Sequence, residues 1–577
     1  MSDLRSYLYR IFVLTGQDKY RVFVIILYFS IASLLDLIGI GLIAIYATFI
    51  VNPDIILKSE YLNNFDITLI NQNLETLTIY IGLLLTAVFL VKTSLSIFIY
   101  SEVIKFDYLR QRKLRLKIIN YYQSLSFENY LNKNSSEASA TASIYIQTYG
   151  QVINSLLLFI GNMIVTFLIL LLLVITNGPI LILMLLIMGL AVYIYKKLFI
   201  DKLNIYGEQV NRGYKQILQG LSEYFEGFKE LKILGKHEYF EEKIKKGTNL
   251  IADNDIKQSI ITAMPRFLLE SLLIIFIVSI VIINILLNKN TEELVPIISL
   301  FAAAGIRLAP MLNQISGFLA TFRRGHDAIN KIYNTLFDEV FVPKKTQKKA
   351  RTRLEKLQIK NLSYRYPNTQ KDIFNGINLT INAGDSIGII GGSGKGKTTL
   401  VDIILGLLDP YEGKIIYNDS DLKESMFDWR SQIAYLPQDV FLVNDTIANN
   451  IALGVNINKI NKNDLENAIV SSQLKEFIDE LPDRENTIVG ERGINLSGGQ
   501  KQRLALARSF YFKKDILIFD EATSSLDYET EKQIINQIQL LKKIRTIIII
   551  SHRQETIKFV DKVYNITDGQ VSNINQV

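Results

Sequence analysis

At 577 residues the chain exceeds one ordinary domain, and 49% hydrophobic residues against 21% charged ones is oily for a soluble enzyme of that size. The net charge of +7 is too modest to imply a nucleic-acid partner, and the absence of cysteine excludes a disulfide framework or a thiol metal site.

The apolar residues are concentrated in the first 325. A membrane-crossing helix needs about 20 consecutive, mostly apolar residues. Six stretches qualify: roughly 22–51, 76–104, 152–176, 179–197, 266–288 and 294–322. Thr176-Asn177-Gly178-Pro179 separates the third from the fourth and predicts a tight hairpin. The first stretch is too long for a cleaved signal peptide, and no small-residue cleavage site follows it. Loop charge sets the orientation. "KFDYLRQRKLRLK" (105–117), Lys196, Lys197, Lys202 and the 229–246 region are basic, whereas 52–75 carries Asp54, Glu60, Asp66 and Glu75 against Lys58. Both termini and the long loops 105–150 and 198–262 are therefore expected in the cytosol. These loops keep helical periodicity, so the helices should continue beyond the membrane at about 1.5 Å per residue.

"FDEVFVPKKTQKKART" (337–352) is charged, contains Pro343 and reads as a linker. From Leu354 short β-rich runs alternate with helical patterns, as in a soluble α/β domain. The expected organisation is an α-helical membrane domain over 1–335, a linker over 336–352 and an α/β domain over 353–577.

Within that second domain, Gly391-x4-Gly396-Lys397-Thr398 follows the strand-like "SIGII" and opens the apolar helix "TTLVDIILGLL". This is the context of a phosphate-binding P-loop. Its glycines let backbone N–H groups face phosphates, Lys397 reaches the β- and γ-phosphates, and the Thr398 hydroxyl suits Mg²⁺. "ILIFDEATSSLD" (516–527) reads as a buried strand ending in two carboxylates. Asp520 suits Mg²⁺ through water, and Glu521 suits a general base on an attacking water. In "LSGGQKQRLALARSF" (496–510), Ser497, Gly498 and Gly499 open a helix whose free N–H groups make a second anion site.

With these motifs together the chain resembles an ABC transporter of the exporter type, with the membrane domain fused ahead of the ATPase. The resemblance covers essentially the whole chain and implies six transmembrane helices followed by a P-loop ATPase of the ABC type, using ATP and Mg²⁺. In that family the LSGGQ motif, here Leu496 to Gln500 with Ser497, Gly498, Gly499 and Gln500 at the nucleotide, caps the ATP held by the P-loop of the other ATPase domain. The resemblance places Gly391, Gly394, Gly396, Lys397, Thr398 and Thr399 around the phosphates, and Tyr366 against adenine. Gln438 matches the residue that senses Mg²⁺ and the γ-phosphate, Asp527 the loop that crosses the dimer interface, and His552 the switch histidine beside the catalytic Glu521. "TIVGERG" (487–493) matches a loop peculiar to exporters. The departures are Lys395 where a small residue is usual, Thr398 for serine, and Gln554. The other histidines, His237 and His326, read as solvated. One membrane domain and one ATPase domain, with no degenerate motif, imply a homodimer in a bacterial inner membrane. Only about twenty residues precede the first apolar stretch, so no N-terminal peptidase is expected.

Charges at mid-membrane depth point to function. Asp36, Lys92 and Arg307 lie about halfway along the first, second and sixth stretches, with one cation in excess. They would line a cavity that favours an anion, or pair to lock helices together. "LLDLIGIGLIAIYATFI", "MPRFLLES" and "GIRLAPMLNQI" look like bacterial flippases of lipid-linked oligosaccharides, such as those serving protein N-glycosylation, whose substrates carry a pyrophosphate. The alternative is a multidrug or peptide exporter. The loop tips 125–134 and 222–234 interleave aromatics with charges and resemble the family's docking turns.

Overall fold

A computed structural model describes residues 2–51, 74–131, 133, 135–286, 294–337, 353–367, 369–521, 527–551 and 557–574. The acidic stretch 52–73 and the linker residues 338–352 lie outside these. The chain divides into two compact units, Met1–Ser124 with Lys133–Val342, and Leu125–Asn132 with Pro343–Val577.

Up to Phe337 the described residues are helical: α1 (Ser2–Thr15), α2 (Lys19–Val51), α3 (Leu74–Ser124), α4 (Phe127–Leu131), α5 (Ile146–Glu226), α6 (Phe228–Leu234), α7 (His237–Leu286) and α8 (Leu294–Phe337). Four described helices are long and apolar enough to cross a membrane, and α8 holds a shorter apolar stretch, Ile297–Leu308. The six expected stretches fall on helical segments, the third and fourth being the two helices that meet at a break inside the range of α5. One residue makes the expected break. Asn177 leaves helical geometry at φ −157° and ψ 86°, and its Oδ1 accepts from the Ile180 N–H at 3.2 Å, as a helix-capping side chain does. Val165, Ile169 and Leu173 before the break share one core with Leu181 and Met184 after it.

The helices run on as the periodicity predicts. The 51 residues of α3 make roughly 77 Å of helix, more than twice the roughly 30 Å of a hydrocarbon core. The apolar face of α1 buries Tyr7, Ile11 and Leu14 with Val152, Ile329 and Ile332. His326 is not simply solvated, since its ring lies 4.8 Å from that of Tyr7. His237 likewise packs 6.0 Å from Tyr224. Neighbouring aromatic rings, invisible in the local sequence, account for both differences.

The second unit holds two sheets. β2 (Phe374–Asn382), β1 (Lys356–Tyr364), β4 (Glu412–Tyr417) and β5 (Ser420–Asp421) form one, in that order. The other runs β10 (Gln570–Ile574), β9 (Lys562–Thr567), β3 (Ser386–Gly391), β8 (Thr546–Ile550), β7 (Ile516–Asp520), β6 (Ile433–Leu436). It is parallel from β9 to β6. Every residue of "ILIFD" and "TIIII" is buried, as continuous apolar strands are when both sheet faces are covered. Helix α9 (Lys397–Ile404) leaves the end of β3, α10 (Gly498–Tyr511) precedes β7, and α11 (Tyr528–Gln539) precedes β8. Trp429 is structural: it is 1% exposed, and its indole N–H donates to Ile404 O at 2.7 Å.

Candidate functional site

The loop from β3 to α9 owes its path to glycine. Gly391 has φ 153°, and a Cβ there would lie 2.7 Å from Ile566 O. Gly396, the residue before α9, has φ 99°, and a Cβ would meet Ile373 Cγ2 at 2.8 Å. No L side chain suits either position. The loop therefore leads directly into the first turn of α9, where Lys397 begins the helix. Lys397 is 7% exposed and donates to Gly391 O and Gly392 O, both at 3.0 Å. Tyr366 stands at the first turn of α9, its hydroxyl 3.0 Å from Thr399 Oγ1.

β7 carries the acidic pair into this region. Asp520 ends the strand and is 2% exposed. Its carboxyl is pushed up by burial and by the Glu521 charge, against hydrogen bonds from Thr398 and Tyr435. Thr398 and Asp520, two of the three residues expected at Mg²⁺ with Gln438, thus meet. Asp402, one helical turn beyond Thr398, joins them, its carboxyl pushed up to about 6 by burial first and by the Asp520 charge second. Glu521 adopts a left-handed backbone, φ 50°, rare for a non-glycine residue, and its Oε2 accepts from Gln438 Nε2 at 2.9 Å. The candidate base and the candidate sensor therefore touch.

Ser497 and Gln500 close a reciprocal capping box at the start of α10: Ser497 Oγ accepts from Gln500 N at 3.3 Å, and Gln500 Oε1 accepts from Ser497 N at 2.8 Å. With both side chains fixed, Gly498 and Gly499 open the helix toward solvent. Asp527 caps α11, its Oδ2 accepting from Thr530 N at 3.0 Å. That bond holds its carboxyl below the usual range. His552 and Gln554 lie outside the described residues.

In the first unit Asp36, Lys92 and Arg307 come together. Asp36 on α2 is 5% exposed, with Oδ1 2.5 Å from Lys92 Nζ on α3 and Oδ2 2.8 Å from an Arg307 terminal nitrogen on α8. Arg307 Nε is buried without a hydrogen-bond partner among the described residues.

Two residues were not singled out from the sequence. Asp402 is one, hidden inside an apolar helix pattern. The other is Glu128 on α4, within a stretch that groups with the second unit. Its Oε1 accepts from the Asp409 N–H at 3.1 Å and from the Tyr364 hydroxyl at 3.5 Å, while Phe127 packs on that unit's core. An acid among aromatics at the 125–134 loop tip was the available signal.

The site residues fit a Mg²⁺–nucleotide. Among the described residues no group of three or more His, Cys, Asp or Glu is arranged to hold a metal ion by itself. A hydroxyl and one carboxylate beside a phosphate cradle are what Mg²⁺ takes when phosphates and water complete its shell.

Residues 374–524 match the ABC transporter family. The ATP-dependent lipid A-core flippase of Pseudomonas aeruginosa is 32% identical over 351 residues, 61% of this chain and 58% of that protein. Its namesake from Pseudoalteromonas translucida is 37% identical over 263 residues, 45% of each. The aligned regions thus span less than two thirds of these relatives. A solved bacterial Atm1-family ABC exporter with ATP bound superposes with a TM-score of 0.75 at 21% identity, covering 97% of this chain and 96% of that one. That likeness establishes the fold, a helical N-terminal domain joined to an α/β domain of the ABC type.

Proposed function

We propose that this chain, which carries an ABC transporter domain on an ABC-exporter fold, is an ATP-driven translocase that moves an amphipathic, anionic lipid across a bacterial inner membrane. Two copies form the working unit, with both termini cytoplasmic.

The nucleotide chemistry follows from the residues. The loop N–H groups and Lys397 bind the β- and γ-phosphates, and Tyr366 offers its ring to adenine. Thr398 and Asp520, with Gln438, would hold Mg²⁺, which would supply charge neutralisation at the phosphates. Glu521, oriented by Gln438 at 2.9 Å, accepts the proton of the attacking water, and a partner copy presents the α10 N-terminus from Ser497 to Gln500 to the γ-phosphate. Positioning and electrostatics carry most of such catalysis.

The substrate reading rests on the Asp36–Lys92–Arg307 cluster, two cations against one carboxylate. Arg307 keeps a buried Nε unused, and a guanidinium binds phosphate bidentately. Relatives named as flippases of a lipid A core favour a lipid over a drug or peptide. The membrane-segment resemblance favours a lipid-linked oligosaccharide within that class. The test is flipping of a fluorescent polyprenyl-diphosphate oligosaccharide in proteoliposomes, beside a neutral drug. Arg307→Ala should abolish most lipid flipping and Arg307→Lys only part of it, with basal ATPase activity retained. Normal flipping by Arg307→Ala, or movement of the drug alone, would replace this reading with a multidrug exporter.

A further inference from the structure

The P-loop holds two lysines that face opposite ways. Lys397 is buried against loop carbonyls. Lys395, on the crest, is 46% exposed and reaches outward, its Nζ 2.8 Å from Asp568 Oδ1. Asp568 and Gly569 are the two-residue connection between β9 and β10, where Thr567 pairs with Gln570. Their φ angles of 47° and 76° suit the Asp-Gly hairpin turn.

That turn is fixed from behind. Gly569 O accepts from the Asn375 N–H at 3.1 Å, and Gln570 Nε2 donates to Asn375 O at 2.7 Å. β9 also pairs with β3 at the base of the loop, Gly391 opposite Ile566. The P-loop is therefore attached to one hairpin at two points, by backbone pairing at its base and by an ion pair at its crest. The Lys395 ammonium holds the Asp568 carboxyl below the usual carboxylate range.

We propose that Lys395 is a positioning residue for the bound nucleotide: its ion pair with Asp568 ties the crest of the P-loop to the β9–β10 turn and presets the loop for a triphosphate. The proposal rests on the ATP-binding reading above. A loop ordered before binding loses less conformational entropy when the ligand arrives. The rival role for a second P-loop lysine is direct attraction of the phosphates, and the two predict opposite signs at Asp568. If Lys395 acted directly, neutralising Asp568 would free it and tighten binding. If the pair is a brace, neutralising Asp568 loosens the loop and weakens binding.

The experiment uses the full chain in lipid nanodiscs, with Lys395→Met, Asp568→Asn and the double variant. Affinity for a fluorescent ATP analogue is measured by direct titration, and KM and kcat by phosphate release. Asparagine tolerates the left-handed turn position, so the hairpin is kept. Each single variant should raise Kd and KM about two- to fivefold, the scale of an exposed ion pair, with kcat retained. The double variant should be no worse than either single one, as for two ends of one interaction. An unchanged or tighter Kd in Asp568→Asn overturns the brace, as does a multiplicative double variant. Failure of the unmodified protein to bind the analogue overturns the ATP-binding reading itself, and the brace with it.

Discussion

Asp36 and Asp520 are both carboxylates withdrawn from water, at 5% and 2% exposure, but their neighbours differ in sign. Asp36 sits between two cations at 2.5 and 2.8 Å. Asp520 has Asp402 and Glu521 beside it, which repel it, and Lys397, which attracts it. The first arrangement satisfies its carboxylate from within the fold and leaves one cation in excess. The second gathers negative charge that Lys397 and the Thr398 and Tyr435 hydroxyls offset only in part, since burial and the Glu521 charge still push the Asp520 carboxyl up. The two acids thus differ in whether their nearest charged neighbours satisfy or largely oppose their charge.

Asp36→Asn puts the sharpest strain on this contrast. It keeps the side chain's shape but leaves Lys92 and Arg307 without their counter-charge. Breaking a fully buried pair by removing one partner costs about 3–5 kcal/mol, and the loss here should be smaller because Lys92 and Arg307 are 16% and 39% exposed. The apparent melting temperature of the purified variant should drop well below that of the unmodified protein. A melting temperature within a degree of the original would mean that water or lipid, not Asp36, neutralises the cluster.

At the nucleotide site, Glu521→Gln removes a negative charge that is not needed for binding but is needed for chemistry. Nucleotide affinity should hold or tighten, while steady-state hydrolysis falls about a hundredfold or more with loss of the base. Retention of more than about a tenth of the activity contradicts the assignment of Glu521 as base.

The two regions were unequally legible in the sequence. "SIGII", Lys397, "ILIFD" and Ser497 sit on the strands, loop and helix start that their local patterns predict, because each motif carries its own secondary-structure context. Asp36, Lys92 and Arg307 were legible one at a time, since a charge inside an apolar run stands out. Their mutual pairing was not, because it depends on how α2, α3 and α8 pack. The Gln438–Glu521 bond joins residues 83 apart, and the Lys395–Asp568 pair joins residues 173 apart. No periodicity reports such contacts. Asp402 was hidden for another reason: "TTLVDIILGLL" reads as one apolar helix, and a single acid within it resembles an exposed edge. The break expected at 176–179 falls on Asn177, where two helices meet without a longer loop between them.

Asp402 supplies the smallest and most specific test. Its carboxyl is pushed from 3.8 up to about 6, by burial first and the Asp520 charge second. A carboxyl that holds its proton more tightly when folded stabilises the fold below its ordinary value. That contribution is lost as pH rises from about 4 through about 6. Asp402 is therefore a liability in the nucleotide-free protein at neutral pH, opposite in sign to a carboxylate held by a cation. Asp402→Asn removes the ionisation. In EDTA at pH 7.5 the variant should melt on the order of 2 °C higher than the unmodified protein, and this difference should close as pH falls toward about 4.5. Comparing the two proteins at each pH cancels the titration of every other group. With Mg²⁺ and ATP bound the advantage should shrink, because the added cation relieves the same repulsion. A variant that melts lower at every pH, or whose advantage is flat across this range, would show that the charge gathered around Asp520 is already relieved within the fold, as it is around Asp36.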